Sequence, residues 1–436
     1  MYKKIIGNAL VLMISVLLLS GCFTGKKTES NVSLKILSMY DRVTIEHIGL
    51  RSFMENNSEV SVEFIDLNER VSDPLDKYKR IEEIFMSEQP DVVITDRFSF
   101  GVLSSQNKLA DLNVYIQQSN YPINDLYSGV RDWIIQNGDG LLNGLAPYFQ
   151  SEALIYNYDL FEKYDIPILE DYMSWEEILT TAEQFAGHHT VDNPVYGYFM
   201  GRNTDPLALV DQMADTLNVK YVNWEKKLIT TNTDSWHNLY EMSLNAYHSG
   251  IIHTDGDNDS GGKAAAKSTV ELFLEGNIAI MPVNYDTVKT LLQSNTGIRW
   301  GLVTQPVDPN NRMEGTLSPM YIYSVNASAK NPEAAWRLVS ELSQASIKQV
   351  AMQLPSWKPS GGQTGDVIET FYKLSYKPQP IIRFWEIPDD LPWKMHQIRV
   401  EGYLKALDGD IEVDEALSMT QAELEQILLT NQQQQK

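Results

Sequence analysis

The sequence predicts an α/β protein with a doubly wound sheet, divided into two lobes. Three observations carry this. The chain has 436 residues, more than one hydrophobic core ordinarily organises. Hydrophobic residues make up 43%, so most of the chain has the means to fold. Strand and helix periods alternate between residues 34 and 94, and strand–helix–strand order calls for parallel pairing.

Residues 1–21 stand outside that fold. Lys3 and Lys4 open the chain, and Ile5 to Leu19 is an apolar stretch of 15 residues broken only by Gly7, Asn8 and Ser15. A membrane span needs about 20 residues, so the length and flanks fit a secretory signal. Leu19-Ser20-Gly21-Cys22 follows and resembles the lipobox of bacterial lipoproteins. That resemblance implies cleavage before Cys22 and diacylation of its thiol. Cys22 is the only cysteine, which excludes disulfides and cysteine metal sites. Residues 22–32 are short and polar and read as a lipidated tether.

The folded part begins with Leu34-Lys35-Ile36-Leu37 as a strand. Ile45, Ile48, Leu50, Phe53 and Met54 form a helical stripe, and Val60, Val62 and Phe64 alternate as a strand. Leu75, Tyr78, Ile81, Ile84 and Phe85 fit a helix, and Asp91 to Ile94 a third, buried strand. Ser174-Trp175-Glu176-Glu177 is a capping box, with Ile178, Leu179, Ala182 and Phe185 as the apolar face behind it. Asn331-Pro332 starts a helix whose buried stripe is Ala335, Trp336, Val339 and Leu342. Asp414 and Glu415 sit in the first turn of the last helix, where its dipole favours acids.

The formal charge is −23; without residues 1–21, which hold two lysines and no acid, it is −25 (58 acids against 33 bases). Such a surface repels nucleic acid phosphates and anionic lipid heads. No Gly-x-Ser-x-Gly elbow and no His-Glu-x-x-His occurs. Gly256 to Lys263 misses the phosphate-loop spacing, and Ala264 stands where Ser or Thr belongs. Asp255, Asp257 and Asp259 suggest a calcium loop, but Ser260 and Ala266 replace its glycine and bidentate glutamate, so the loop reads as solvated. His188 and His189 are adjacent and read as surface residues. No catalytic residue, metal site or cofactor is assigned.

In open parallel sheets, ligands bind beyond the carboxyl ends of strands. The third strand ends at Ile94 or Thr95, and Asp96-Arg97-Phe98 follow. A carboxylate and a guanidinium suit vicinal hydroxyls, and they equally suit pairing with other loop side chains.

These segments resemble family 1 extracellular solute-binding proteins, the group that includes maltodextrin binders, from about residue 33 to 430. Gln89-Pro90-Asp91-Val92-Val93 is similar to the family's Pro-Asp-Val-Val strand, and Asp96-Arg97-Phe98 matches an Asp-Arg-Phe whose first two residues touch sugar. Leu109-Ala110-Asp111-Leu112, Ala146-Pro147-Tyr148 through Asn157, Trp175-Glu176-Glu177, Phe273 to Ile280, Asn331 to Ala335 and Gly409 to Leu417 continue the match in order. The resemblance implies a periplasmic-binding-protein-like fold, each lobe a sheet flanked by helices. It divides the chain into 33–148 plus 326–378 and 149–325 plus 379–436. It puts the first crossing near Pro147 to Ser151, the return near Met320 to Val325 and a last crossing near Lys377 to Ile381.

It also implies a ligand in the cleft between lobes: a sugar or oligosaccharide, passed to the transmembrane permease of an ABC importer. The expected ligand contacts are Asp96, Arg97, Tyr148, Gln150, Arg202, Asn203, Asn284, Tyr285, Asp286, Tyr321, Trp357, Trp385 and Trp393. The rings are chosen because sugars have apolar faces, and Asn284 and Asp286 because they follow a second-lobe strand. The chain departs from maltodextrin binders at Pro319-Met320-Tyr321 and at Arg202-Asn203, which places maltose itself in doubt. A lipid-anchored monomer on the outer face of the cell membrane is expected. A peptide, polyamine or anion binder of the same fold, a glycan-active enzyme, and a partner of a sensor kinase stand as alternatives.

Overall fold

Leu34, Ile36 and Leu37 have no exposed surface, because β1 (Val32–Ser38) runs between two parallel partners, β2 (Val60–Asp66) and β3 (Val92–Thr95). Further along lie β4 (Tyr148–Gln150), β5 (Glu152–Asn157), β6 (Tyr196–Phe199), β7 (Val222–Asn223), β8 (Leu228–Ile229) and β9 (Ile252–His253). Then come β10 (Ile278–Asn284), β11 (Trp300–Thr304), β12 (Glu314–Gly315), β13 (Ser318–Met320), β14 (Ile322–Val325), β15 (Leu354–Pro355) and β16 (Ser375–Tyr376). The computed structural model describes residues 32–190, 195–200, 205–253, 269–294, 297–345, 353–357, 367–377, 387–388 and 390–434. Residues 1–21, Cys22, the loop at 255–262, Arg202, Asn203 and Trp385 lie outside them, as does most of the last expected crossing.

The first sheet has the order β14-β3-β1-β2. Three parallel strands carry an antiparallel edge strand, with Ile322 opposite Thr95 and Val325 opposite Val92. Ile322–Val325 therefore joins the first sheet, ahead of the expected boundary at 326. The reason is local: Tyr321 takes a left-handed backbone (φ 54°) and turns the chain between β13 and β14.

The helix Pro74–Glu88 begins as its residues dictate. Asp73 accepts from the amides of Leu75 and Asp76, and proline occupies a first-turn position that has no amide to lose. The stripe from Ile45 to Met54 is less regular. It is split at Gly49, where φ is 163°, and a π turn (Glu46–Leu50) absorbs the offset.

The second sheet has the order β11-β5-β10-β6-β9. Its central strands obey the two-residue period of a strand buried on both faces. Ala153 and Ile155 of β5 face one cluster, which continues into the first lobe, while Leu154 and Tyr156 face another. The capping box at Ser174 forms as its residues require: the Glu177 carboxylate accepts from the Ser174 amide at 2.7 Å, and Trp175, Ile178, Leu179 and Ala182 are buried. Leu391–Leu407 and Val413–Gln434 pack as a helical hairpin on this second core. Among the described residues, no helix is long and apolar enough to cross a membrane.

Candidate functional site

β3 ends at Thr95, and Asp96 then caps the Arg97–Ser105 helix through a 2.8 Å bond from the Ser99 amide to Oδ1. The other carboxylate oxygen accepts from the Tyr78 hydroxyl at 2.7 Å. Burial and the Asp96 charge push the Tyr78 hydroxyl well above its ordinary value. Asp96 is thus held by two donors, with a further lone pair on each oxygen. Arg97 extends outward, its guanidinium 4.5 Å from the centre of the Phe98 ring. Among the described residues it has no ion pair.

A three-stranded sheet, β13-β4-β15, lies between the two main sheets. β4 runs through Ser151 directly into β5, and β13 runs through Tyr321 into β14. These are the crossings between lobes. They are cross-braced: the Ser151 hydroxyl donates to the Thr316 carbonyl at 3.2 Å, and the Gln305 amide donates to the same carbonyl at 3.0 Å.

A cavity of about 350 Å³ opens where these elements meet, within the usual range for small-ligand sites. Arg97 reaches it from the first lobe. Phe149, Gln150, Ser151 and Glu152 come from the β4–β5 crossing, and Asn284 and Tyr285 from the end of β10. Thr316, Leu317 and Ser318 enter from the return crossing, and Gln353 and Leu354 from the start of β15 and the residue before it.

The structure brings four of the expected residues to this cavity: Arg97, Gln150, Asn284 and Tyr285. The Asn284 amide oxygen caps the Tyr285–Gln293 helix, accepting from the Thr287 amide at 3.0 Å. Tyr285 is buried, and desolvation raises its hydroxyl. Asp286 points to solvent from that helix's first turn, outside the lining. Asp96 stands one residue behind the lining, positioning the helix start from which Arg97 projects. Tyr148 is 1% exposed and meets Tyr321 edge-on, and Tyr321 in turn packs 4.5 Å from Tyr40, so these rings form a wall behind the crossing. Trp357 is in the first-lobe core, its indole N–H donating to the Ser343 carbonyl at 2.7 Å. Trp393 is 64% exposed near the start of the Leu391–Leu407 helix, away from the cavity.

Sequence reasoning missed Ser151, Glu152, Thr316, Ser318 and Gln353. Ser151 lies in the expected first crossing and Glu152 directly follows it, so that signal was present. The others carry no local pattern. Glu152 is the one carboxylate among the described lining residues. Glu152 is exposed, and the protein packed on its other side raises its pKa. His188 and His189 have separate partners, a stacked Tyr164 ring at 3.9 Å and the Val195 carbonyl at 3.1 Å. Among the described residues no group of three His, Cys, Asp or Glu is placed to hold a metal. What the cavity offers is hydrogen bonding from amides and hydroxyls, one guanidinium, one carboxylate and two buried rings, Phe149 and Tyr285.

Comparison with known proteins agrees with this geometry. Residues 80–348, more than half of the chain, match the family model for bacterial extracellular solute-binding proteins. A sugar transporter from Rhizobium etli, solved in an open conformation, superposes with a TM-score of 0.62 at 17% identity, over 90% of this chain and 99% of that one. The sugar-binding protein MalE from Xanthomonas citri gives 0.63 at 16%, over 92% and 98%. An ABC substrate-binding protein from Listeria monocytogenes, in complex with cycloalternan, gives 0.54 at 16%, over 91% and 99%. At these identities the likeness is one of fold: two α/β lobes joined by crossing strands.

Proposed function

This chain belongs to the family of bacterial extracellular solute-binding proteins, and on that premise we propose that it captures a sugar or short oligosaccharide between its lobes and delivers it to the permease of an ABC importer. The observation that carries the reading is the cavity at the lobe junction, lined by Arg97 from one lobe and Asn284 and Tyr285 from the other. A hydroxyl-rich ligand needs paired donors and acceptors, which Gln150, Ser151, Asn284, Thr316, Ser318 and Gln353 supply. Tyr285 and Phe149 offer apolar surface to a sugar face. The Listeria monocytogenes neighbour holds cycloalternan and the Xanthomonas citri one is a sugar-binding protein, which supports the same reading.

Capture is a population shift. Ligand held by one lobe gains contacts to the other only on closure, so the closed state gains population by that difference in affinity. Delivery to a permease is the expected use of the closed form. The membrane is reached through Cys22, on the support of Leu19-Ser20-Gly21-Cys22. Each buried methylene contributes about 0.8 kcal/mol, and two chains anchor stably where one does not.

The test is a thermal-shift screen against mono- and oligosaccharides, amino acids, peptides and polyamines, followed by small-angle scattering with any ligand found. A glycan at 100 times its dissociation constant is expected to stabilise the fold by about 2.7 kcal/mol and to reduce the radius of gyration. Stabilisation by peptides or polyamines alone would overturn the ligand class.

A further inference from the structure

We propose that Gln305 is a positioning residue of this site: it fixes the Ser151 and Thr316 hydroxyls as hydrogen-bond acceptors, so that the crossing wall of the cavity takes only ligand groups that donate. The inference rests on the sugar reading above and adds which saccharides fit, those with an unsubstituted hydroxyl towards the crossings.

Gln305 follows β11 at the edge of the second sheet. It reaches the crossings from behind the cavity, where it borders a smaller space of about 150 Å³. Its side-chain amide is fully occupied. Oε1 accepts from the Thr316 amide at 3.3 Å and from the Thr316 hydroxyl at 2.7 Å. Nε2 donates to the Thr316 carbonyl at 3.0 Å and to the Ser151 hydroxyl at 3.3 Å. A glutamine amide has two acceptor positions and two donors, and all four are used. One side chain of the second lobe thereby joins the first crossing to the return crossing.

The backbone of Thr316 fixes every proton in this knot. Its N–H only donates and its carbonyl only accepts, so the Gln305 amide has one orientation. The Thr316 hydroxyl, facing Oε1, then gives its proton to it. The Ser151 hydroxyl donates to the Thr316 carbonyl at 3.2 Å. Both hydroxyl protons are spent within the protein, and the Thr316 N–H and carbonyl with them. One lone pair remains on Ser151 and two on Thr316.

Both residues line the cavity and are half-buried. A ligand O–H or N–H meets acceptors at this wall. A methyl ether or ring oxygen there gives up its water and meets no donor, which costs more than a missing contact alone. Gln305 does this through Ser151 and Thr316, without touching the ligand.

Calorimetry on the full chain tests the assignment. The probes are glucose, galactose, mannose, xylose, maltose, cellobiose and the longer oligosaccharides of the screen above. The tightest binder is compared with its monodeoxy and mono-O-methyl derivatives. At the ring position that faces the crossings, either change is expected to weaken wild-type binding at least about tenfold. Gln305→Met keeps the length and removes all four bonds. The Thr316 hydroxyl can then donate, and the methyl-ether penalty at that position is expected to fall to about threefold or less, with the other positions unchanged. Gln305→Glu keeps both acceptor bonds to Thr316 and is expected to keep most of the penalty. Thr316→Val removes the acceptor, so the parent sugar and its deoxy form are expected to bind it alike; this variant carries the test where Gln305→Met does not fold. Affinity that falls equally for every derivative in Gln305→Met, with the penalties intact, would make Gln305 a structural brace and overturn the inference. A deoxy penalty that survives at every position in Thr316→Val would also overturn it, as would wild-type binding indifferent to methylation, and each leaves the sugar reading standing. Binding of no saccharide at all would overturn both readings together.

Discussion

Tyr78 and Asp96, from separate helical segments, share a 2.7 Å hydrogen bond at the end of β3. The same carboxylate caps the helix that carries Arg97. Asp96→Ala removes both functions and is expected to cost about 1 kcal/mol of stability through the lost cap alone. Asp96→Asn keeps an acceptor and should lose less. Urea denaturation of the two variants checks the order. A ligand affinity that falls in Asp96→Ala and largely survives in Asp96→Asn would identify Asp96 as a positioning residue for Arg97.

Arg97 itself is exposed and has no ion pair among the described residues, so its removal leaves little behind to destabilise the fold. Arg97→Ala is expected to change stability by no more than about 0.5 kcal/mol. It is expected to weaken binding of a ligand found by the screen at least about tenfold. Melting and calorimetry on one sample test both halves; unchanged affinity would remove Arg97 from the site.

Asp91, 3% exposed, ties distant parts of the first lobe together. Its carboxylate accepts from the backbone amides of Lys35, Lys330 and Asn331 at 3.0, 2.8 and 3.1 Å, anchoring β1 and the start of Pro332–Ala345 to β3. Asp91→Ala strands three donors and is expected to cost about 3 kcal/mol or more, read from the urea midpoint. A loss below about 1 kcal/mol would mean that water or relaxation satisfies the amides.

Arg399 is 3% exposed, paired with Asp211, and stacked 4.3 Å over Tyr221 and 5.4 Å over Trp236. Removing Asp211 leaves a buried guanidinium without its carboxylate. Asp211→Ala is therefore expected to cost about 3 kcal/mol. Arg399→Met fills similar space without charge and is expected to cost less, despite removing the larger side chain. Equilibrium unfolding of the two variants decides; the reverse order would show that packing of the guanidinium, not its pairing, dominates.

Arg312 donates to both carboxylate oxygens of Glu177, at 2.7 and 3.0 Å, and chiefly for that reason Glu177 titrates at about 2 rather than 4.5. A folded-state value below the unfolded one stabilises above the unfolded value, and that contribution is lost as pH falls towards the folded value. The stability difference between wild type and Glu177→Gln should therefore be constant above about pH 5 and shrink towards about pH 2. Because the pair is exposed, the difference should be small and should fall with added salt. Urea melts across that range measure it, and a difference that grows on acidification would refute the assignment.

Much of the fold was legible because local rules decide it. The two-residue period marks β1 and β2, the short apolar run marks β3, and the Ser174 capping box and Asn331-Pro332 mark helix starts with their own donors and acceptors. The position of Arg97 was legible for the same reason, since a residue just past a parallel strand lies where such sheets bind ligands. Trp357 and Trp393 were chosen for their rings, and a ring's chemistry does not say which way it faces. One packs in a core and the other is in solvent.

The sequence by itself determined the elements of this protein, its α/β class and the residue types that begin its helices, because each depends on neighbours within a few positions. Only the tertiary structure decided which side chains meet where the lobes join. Ser318 and Gln353 join the expected Gln150 and Asn284 from separate segments, and each of these two is polar in a chain full of polar residues. Nothing local distinguishes them. They converge because β13 and β15 both pair with β4, and because the β5–β10 register sets Asn284 opposite Glu152. Those pairings are long-range and form only when both lobes are built.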